Sequence, residues 1–234
     1  MKPATPYPAS TVVLLRPAAA GGFEVYLNRR PDHLDTYAGV YVFPGGRVEE
    51  SDCSASMLAL TRGVTAAEAQ EKLGAAGVQP ELCLGYWVAA ARELFEEVGI
   101  HLLITSNGPS RELDRRMAEK RSVLQRGEIG FAELLSAERV YCDLSQLTYF
   151  FHRVTPEHYH VRFDTRFYLA TLPSDQTPLA VSEEVSDSLW IAPQAALERF
   201  GDNNFPMMPP TVMVLRTLSG CGSWTKLREA FDLS

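Results

Sequence analysis

Apolar residues along this chain follow two periods, one typical of β-strands and one typical of α-helices. Residues 11–15 are β-branched or aliphatic and favour a buried strand, and residues 23–30 alternate as a second strand paired with it would. Further strands are predicted at 39–43, 149–156, 162–170 and 189–193. Helices are predicted at 54–60, 65–73, 88–98, 194–200 and 211–218, the last with an N-cap within 209–211. The run at 110–135 is also helix-prone but is interrupted by Gly127 and Gly130 before Phe131. This order of strands and helices is consistent with an α/β fold.

The predicted helix at 88–98 carries three carboxylates on one face. At about 100° per residue, Glu93, Glu96 and Glu97 stand at i, i+3 and i+4 and point the same way. Arg92 lies one turn before Glu96 and can reach its carboxylate, and Gly99 is suited to end the helix. The opposite face is apolar and consists of Ala91, Leu94, Phe95 and Val98. One side of the helix is therefore a core contact and the other an acidic cluster.

Negative charge in the last turn of a helix is unfavourable for stability. It opposes the helix dipole, and carboxylates four residues apart repel each other. Each of these two effects lowers the stability of the helix by roughly a few tenths of a kcal/mol. A hard divalent cation would reverse this effect, because Mg²⁺ and Mn²⁺ take oxygen ligands. The alternative is a solvated acidic helix end in which Arg92 forms a surface ion pair.

A pair of glycines follows the predicted strand at 39–43. In Pro44-Gly45-Gly46 the missing side chains let the backbone adopt positive φ and approach a ligand or metal closely. A plain turn would explain this tripeptide equally well, so by itself it is a weak signal.

Together these motifs resemble the Nudix box. The matching positions are Gly45-Gly46, an acidic residue after five intervening positions, and the run from Arg92 to Ile100. Two features depart from the family pattern: the usual glutamate is Asp52, and 39 residues (53–91) separate it from Arg92 where the family has seven. A box interrupted in this way resembles the long-insert subgroup that includes peroxisomal coenzyme A diphosphatases. Further similarity to that subgroup lies at 43–46, 162–168 and 209–211.

The resemblance implies a Nudix fold, in which a mixed β-sheet lies between helices in an α/β/α sandwich. One Nudix hydrolase domain would span residues 1–234, with a helical insertion at about 53–85 inside the box. Within the insertion, Thr65 and Glu68 have the spacing of a capping box and predict a short helix. The segment carries no obvious chemistry, which favours a lid or packing element over a source of catalytic groups.

The resemblance also implies a metal-dependent reaction at the acidic helix. Mg²⁺ or Mn²⁺ would be bound by carboxylates and one backbone carbonyl, from Glu93, Glu96, Glu97 and Gly46. Catalytic roles are expected for Glu93, Glu97, Glu184 and Arg92. The proton acceptor would be Glu93 or Glu184, with Glu183 as the second candidate beside Glu184. Arg92 would hold Glu96 and orient the cluster.

The implied substrate is a small-molecule nucleotide whose diphosphate linkage is hydrolysed, with coenzyme A or acyl-coenzyme A as the first candidate. Substrate-binding side chains are expected at Arg30, Arg166 and Phe43. Arg29 and Arg30 point to opposite sides of their strand, so at most one reaches a given pocket. Asp164 could instead hold an arginine in a cross-strand ion pair that has no substrate role.

The signature of the coenzyme A group is matched only in part. The matching positions are Leu27, Arg30, Gly39 and Phe43–Gly46, and the departures are Asn28, Pro31 and Asp35. Two alternatives therefore stay open. One is a hydrolase for ADP-ribose, a dinucleoside polyphosphate or a nucleoside triphosphate, and the other is a Nudix-fold nucleotide-binding module without catalysis.

Composition narrows the classes of partner and compartment. A net charge of −7 and a pI near 5.3 argue against a dedicated nucleic-acid or anionic-membrane surface. The four cysteines are widely spaced and are expected to be free thiols. Without an apparent signal peptide or a sufficiently long apolar run, a cytoplasmic location is expected. The mixed-charge run at 110–135 favours a solvated helix face; a phosphate-binding role or a contact in a possible homodimer is the alternative.

Overall fold

The computed structural model describes residues 3–33, 38–106, 111–179, 185–202 and 204–233. Within these ranges the strands are β1 (Tyr7–Pro17), β2 (Phe23–Arg29), β3 (Tyr41–Val42), β4 (Gly45–Arg47), β5 (Thr61–Arg62), β6 (Leu103–Thr105), β7 (Val140–Asp143), β8 (Thr148–Val154), β9 (Phe163–Thr171) and β10 (Asp187–Ile191). The helices are α1 (Ala55–Leu58), α2 (Ala66–Lys72), α3 (Pro80–Val98), α4 (Arg111–Gln125), α5 (Phe131–Glu138), α6 (Pro193–Gly201), α7 (Pro209–Ser219) and α8 (Trp224–Phe231). Strands and helices are interspersed, as predicted.

Strand β1 lies at the centre of the main sheet. The strand order is β10-β2-β1-β9-β8, with β3 paired to β2 and β4 paired to β1. The predicted pairing of β1 with β2 is confirmed and is antiparallel. Strand β9 runs parallel to β1, whereas the other strand pairs described for this sheet are antiparallel. The sheet is therefore mixed, as the fold prediction required.

The side chains of β1 alternate between two hydrophobic clusters, one on each face of the sheet. Val12 and Leu14 pack with α3, whereas Val13 and Leu15 pack with α7. All four are fully buried. A sheet covered by helices on both faces is the predicted α/β/α sandwich. In the described ranges, none of the helices has both the length and the hydropathy that crossing a membrane requires.

The segment inserted between Asp52 and Arg92 packs onto the core. Its residues Met57, Val64 and Ala69 belong to the same buried cluster as α3, and its strand β5 pairs with the distant β7. The capping box predicted within this segment is present at the start of α2. Its apolar residues extend the core beside the acidic helix, as expected of a packing element.

Helix α3 begins earlier than predicted. It starts at Pro80, which occupies the first turn, where the missing N–H of proline costs no hydrogen bond. Residues 80–85, assigned to the insertion by the sequence, therefore form its first turns. Gly85 lies inside the helix, where an added Cβ would overlap the sulfur of Cys53.

The predicted interruption of the 110–135 run at Gly127 and Gly130 is confirmed: α4 ends at Gln125, α5 begins at Phe131, and Gly127 adopts a φ of +66° between them. Other elements differ from the predictions. Helix α7 starts with proline and has no side-chain cap, so the predicted N-cap is wrong. The short strands β5, β6 and β7 and the final helix α8 were not predicted. Strands of two to four residues are too short to show a clear period.

Replacing Gly45 by alanine is expected to lower the free energy of unfolding by about 3 kcal/mol. Gly45 has a φ of +156°, and an added Cβ would overlap the Ser10 carbonyl oxygen and lie 2.7 Å from the Thr11 Cα atom. Both contacts are backbone atoms of the central strand, so β1 and β4 would have to separate. Urea denaturation measures the loss. The control is Gly201→Ala, whose Cβ would meet nothing within 4 Å; equal losses in the two variants would contradict the prediction.

Candidate active site

Helix α3 presents its acidic face next to the glycine pair. Gly99 ends the helix with a φ of +74°, as predicted. The residues predicted for the apolar face are all buried against the sheet. Because that face is fixed in the core, the glutamates three and four residues apart stand together on the outer side.

Arg92 is the buried centre of this cluster. Its Nε donates to Oδ1 of Asp52 at 2.9 Å, and its Nη2 donates to Oδ2 of Asp52 at 3.0 Å. Nη2 also donates to the carbonyl of Arg47 at 3.0 Å. The side chains of Arg92 and Asp52 are only 5% and 1% exposed. Two parallel charge-assisted hydrogen bonds fix the guanidinium plane, so the residue that departs from the family glutamate anchors the arginine.

Glu93, Glu96 and Glu97 are held in two different ways. Nη1 of Arg92 donates to Glu93 at 2.8 Å and to Glu96 at 2.9 Å, which confirms the predicted contact with Glu96. Glu97 accepts a hydrogen bond from the backbone N–H of Gly45 at 3.1 Å. An added Cβ on Gly46 would lie 2.6 Å from the carboxyl carbon of Glu93. The glycine pair therefore contacts the acidic helix directly, although the insertion separates the two in sequence.

Among the described residues, Arg92 pairs with three carboxylates, those of Asp52, Glu93 and Glu96. Burial raises the pKa of Glu93 to about 7, despite the opposing influence of Arg92. Burial also raises the pKa of Glu96. Burial lowers the pKa of Arg92, but its hydrogen bonds and charge attraction to Asp52, Glu93 and Glu96 outweigh this effect and leave that pKa raised. A further positive charge would therefore be attracted to the glutamates.

A cleft of about 630 Å³ opens over the carboxylates. Its acidic side is formed by the glutamates of α3, Arg92, the glycine pair and the turn after β4, and Arg30 also borders it. The side formed by α4, α5 and the turn between them contributes Leu124, Gln125, Gly127, Ile129, Gly130 and Phe131. The cleft therefore joins a charged surface to a largely uncharged one.

The predicted substrate-binding residues separate into two groups. Arg30 borders the cleft, whereas Arg29 pairs with Asp32 at 2.7 Å, so the two arginines diverge as predicted. Arg166 is 6% exposed and pairs with Asp164 of the same strand, β9, so the predicted ion pair forms within one strand and not across two, and Arg166 does not line the cleft. Phe43 is buried in the cluster beneath α7, on the other face of the sheet from α3. Of the three residues, the structure brings only Arg30 to the carboxylates.

Glu183, Glu184 and Asp35 lie outside the described residues. The last described residue before the two glutamates, Leu179, donates its backbone N–H to the carbonyl of Val98 at 2.9 Å, at the end of α3. After them, Ser186 donates its backbone N–H to the carbonyl of Arg29 at 3.0 Å. Roles for Glu184 and Glu183 stay predictions.

A hard divalent cation matches the donor chemistry of this site. Its candidate ligands are carboxylates and a backbone carbonyl, which are the oxygen donors that Mg²⁺ and Mn²⁺ prefer. In the described part of the chain, no three His, Cys, Asp or Glu side chains are arranged so that they could hold a metal. The glutamates instead point to Arg92 and the Gly45 N–H. Binding would need their carboxylates to reorient, and their excess negative charge favours that change.

Some cleft residues were not singled out by the sequence. Glu49 and Ser51 line the acidic side and follow the glycine pair so closely that proximity alone could have suggested them. Gln125 lies in the run interpreted as a solvated face. Its position in the helix could have identified Gln125 as inward-facing. It lies eight residues after the buried Met117 and therefore on the same side of α4.

Comparison with known proteins agrees with the box and the fold. A family model, the NUDT19 Nudix domain, matches residues 4–218. Acyl-coenzyme A diphosphatase NUDT19 of Homo sapiens is 26% identical over 92% of this chain and 65% of that protein. The Gallus gallus protein of that name is 26% identical over 88% of this chain and 64% of that protein.

A solved structure, that of a NUDIX hydrolase from Alicyclobacillus acidocaldarius, is 27% identical and superimposes with a TM-score of 0.71 over 95% of both chains. The chain spans about half to two thirds of the length of the curated relatives it matches. The match of the family model covers most of the sequence, from before β1 to the end of α7. The chain therefore belongs to the NUDT19 Nudix domain family of the Nudix hydrolases.

Proposed function

We propose that this protein hydrolyses a diphosphate linkage in a nucleoside diphosphate derivative, using Mg²⁺ or Mn²⁺. The observation that carries the proposal is the contact of Glu93 and Glu97 with the Gly45-Gly46 backbone, beside Glu96, in the lining of an open cleft. Such a site concentrates oxygen donors and negative charge where a metal-bound diphosphate can enter.

The residues of the cluster have three tasks in the proposed reaction, namely to hold the metal, to position the glutamates and to accept a proton. Glu93, Glu96, Glu97 and the carbonyl of Gly46 would hold the metal, which supplies charge neutralisation for the diphosphate and activates a water molecule. Arg92, fixed by Asp52, keeps Glu93 and Glu96 in place. Glu93 or Glu184 would accept the proton of the attacking water. Positioning and electrostatics then supply most of the rate increase.

The preferred substrate is coenzyme A or an acyl-coenzyme A. The relatives named acyl-coenzyme A diphosphatase support this choice. So does the shape of the cleft, because Arg30 can bind a phosphate while Leu124 and Ile129 offer apolar surface to an uncharged arm. The departures at Asn28, Pro31 and Asp35 from the coenzyme A signature make other nucleotides the second candidate.

A substrate panel tests the proposal. The purified protein is incubated with Mg²⁺ or Mn²⁺ and coenzyme A, an acyl-coenzyme A, ADP-ribose, a dinucleoside polyphosphate or a nucleoside triphosphate. Appearance of 3′,5′-ADP from coenzyme A would support the preferred substrate, and cleavage of another compound alone would replace it. Absence of metal-dependent cleavage throughout the panel would favour a binding module and overturn the enzyme proposal.

A further inference from the structure

The acidic end of α3 rests against two side chains of α4. Nε of Arg121 donates hydrogen bonds to the backbone oxygens of Phe95 at 3.2 Å and Glu96 at 2.7 Å. Nε2 of Gln125 donates to the same Glu96 oxygen at 2.8 Å. The last four carbonyls of an α-helix lack partners within the helix. The Phe95 carbonyl also accepts the backbone N–H of Gly99 at 2.9 Å. Arg121 and Gln125, called the α4 clamp below, therefore supply the side-chain donors to the Glu96 carbonyl at the end of the acidic helix.

The clamp also places positive charge where α3 needs it. The last turn of α3 contains no basic residue, although it carries Glu96 and Glu97. Both the helix dipole and the mutual repulsion of these glutamates disfavour that end. The guanidinium of Arg121 approaches the exposed carbonyls from a neighbouring helix. In these two contacts it stabilises the helix end through the backbone.

Glu96 is consequently held at two points. Arg92 holds its carboxylate at 2.9 Å, and the clamp holds its backbone carbonyl. Arg121 is not among the residues that line the cleft, whereas Gln125 is. Loss of Arg121 would therefore loosen the glutamates without removing a group that faces the cleft.

We propose that Arg121, assisted by Gln125, is a positioning residue that fixes Glu96 and Glu97 for metal binding. The inference rests on the proposed function, because it assigns a task toward the same metal site. It also gives α4 a role beyond that of a solvated face: one side of this helix borders the cleft and holds the end of the acidic helix.

The test compares Arg121→Met with the wild-type protein. Mn²⁺ affinity, measured on the protein alone by titration with electron paramagnetic resonance detection of free Mn²⁺, is expected to fall roughly 10-fold, and kcat with it. The KM for the cleaved nucleotide at saturating Mn²⁺ is expected to stay unchanged, because Arg121 does not line the cleft. Arg121→Lys is expected to recover part of both losses, since it keeps the charge and a donor.

Arg115→Met is the matched control. Arg115 lies on the same helix, its side chain is 71% exposed, and it pairs with Glu112 rather than with α3. The Arg115→Met variant is expected to have the Mn²⁺ affinity and the kcat of the wild-type protein. Where Arg121→Met fails to fold, as judged by circular dichroism, Arg121→Lys and Gln125→Leu replace it. Each is then expected to show a smaller, measurable loss of Mn²⁺ affinity.

The outcomes separate this inference from the proposed function. Wild-type Mn²⁺ affinity in the folded clamp variants, or an equal loss in Arg115→Met, would overturn the positioning role. A wild-type protein that cleaves no nucleotide, but whose Mn²⁺ affinity still depends on Arg121, would overturn the proposed function and leave the positioning role standing. A change in KM alone would show that Arg121 acts on the substrate and would overturn the inference.

Discussion

Glu97→Gln is expected to reduce turnover of the cleaved nucleotide about 100- to 1,000-fold. The amide has the size of the carboxylate and keeps an oxygen that can accept the Gly45 N–H, now bonded at 3.1 Å. The fold should therefore survive, while the site loses one of the negative charges proposed to bind the metal. Steady-state kinetics at several Mg²⁺ concentrations would show a lower kcat and a higher requirement for metal.

Glu71→Gln serves as the control for this variant. Glu71 is an exposed glutamate of α2, within the insertion, so the same chemical change is made away from the cleft. Its kinetics should match those of the wild-type protein. If Glu97→Gln retained wild-type kcat and metal requirement while the control behaved as expected, Glu97 would have no place in the metal site.

Asp52→Asn is expected to lower the free energy of unfolding by about 3 kcal/mol. Asp52 is 1% exposed and shares two hydrogen bonds with the equally buried Arg92, and an amide retains only one acceptor oxygen and no charge. For a chain of this length the thermal midpoint should fall by roughly 6–12 °C. Activity below that midpoint should also fall, because Arg92 no longer holds Glu93 and Glu96 in one orientation.

Asp32→Asn provides a matched comparison at the surface. Arg29 and Asp32 also form two hydrogen bonds, at 2.7 and 3.1 Å, but the Asp32 side chain is 71% exposed. Water and salt screen such a pair, so its loss should leave the midpoint nearly unchanged. Similar shifts of the thermal midpoint in the two variants would show that burial of the Asp52–Arg92 pair contributes nothing to the stability of the fold.

Helical period and residue chemistry were sufficient to predict the acidic centre of the site. The spacing of Glu93, Glu96 and Glu97 depends only on helix geometry, and Gly99 ends the helix where its φ of +74° requires glycine. The glycine pair could be connected to that helix only through the resemblance, since the intervening segment hides their proximity. Their contact in the structure is the hydrogen bond from Gly45 to Glu97.

Residues whose roles depend on three-dimensional neighbours were less accessible. Arg166 and Phe43 belong to motifs similar to the subgroup, but pairing with Asp164 and burial beneath α7 keep both away from the cleft. Arg121 lies in a mixed-charge run, and the charges of its neighbours in sequence favour a solvated face. Its position four residues after the buried Met117 marks it as inward-facing, yet only the packing of α4 on α3 shows what it contacts.

The Asp52–Arg92 pair has a consequence for the tolerance of the fold to changes in chain length. It closes a loop of 39 residues (53–91), and closure entropy grows only with the logarithm of loop length. Relative to a loop of seven residues, the added cost is about 1.5 kcal/mol. Burial of Met57, Val64 and Ala69 can offset that amount. The two ends of the box are thus joined in space by an ion pair, which leaves the length between them free to vary.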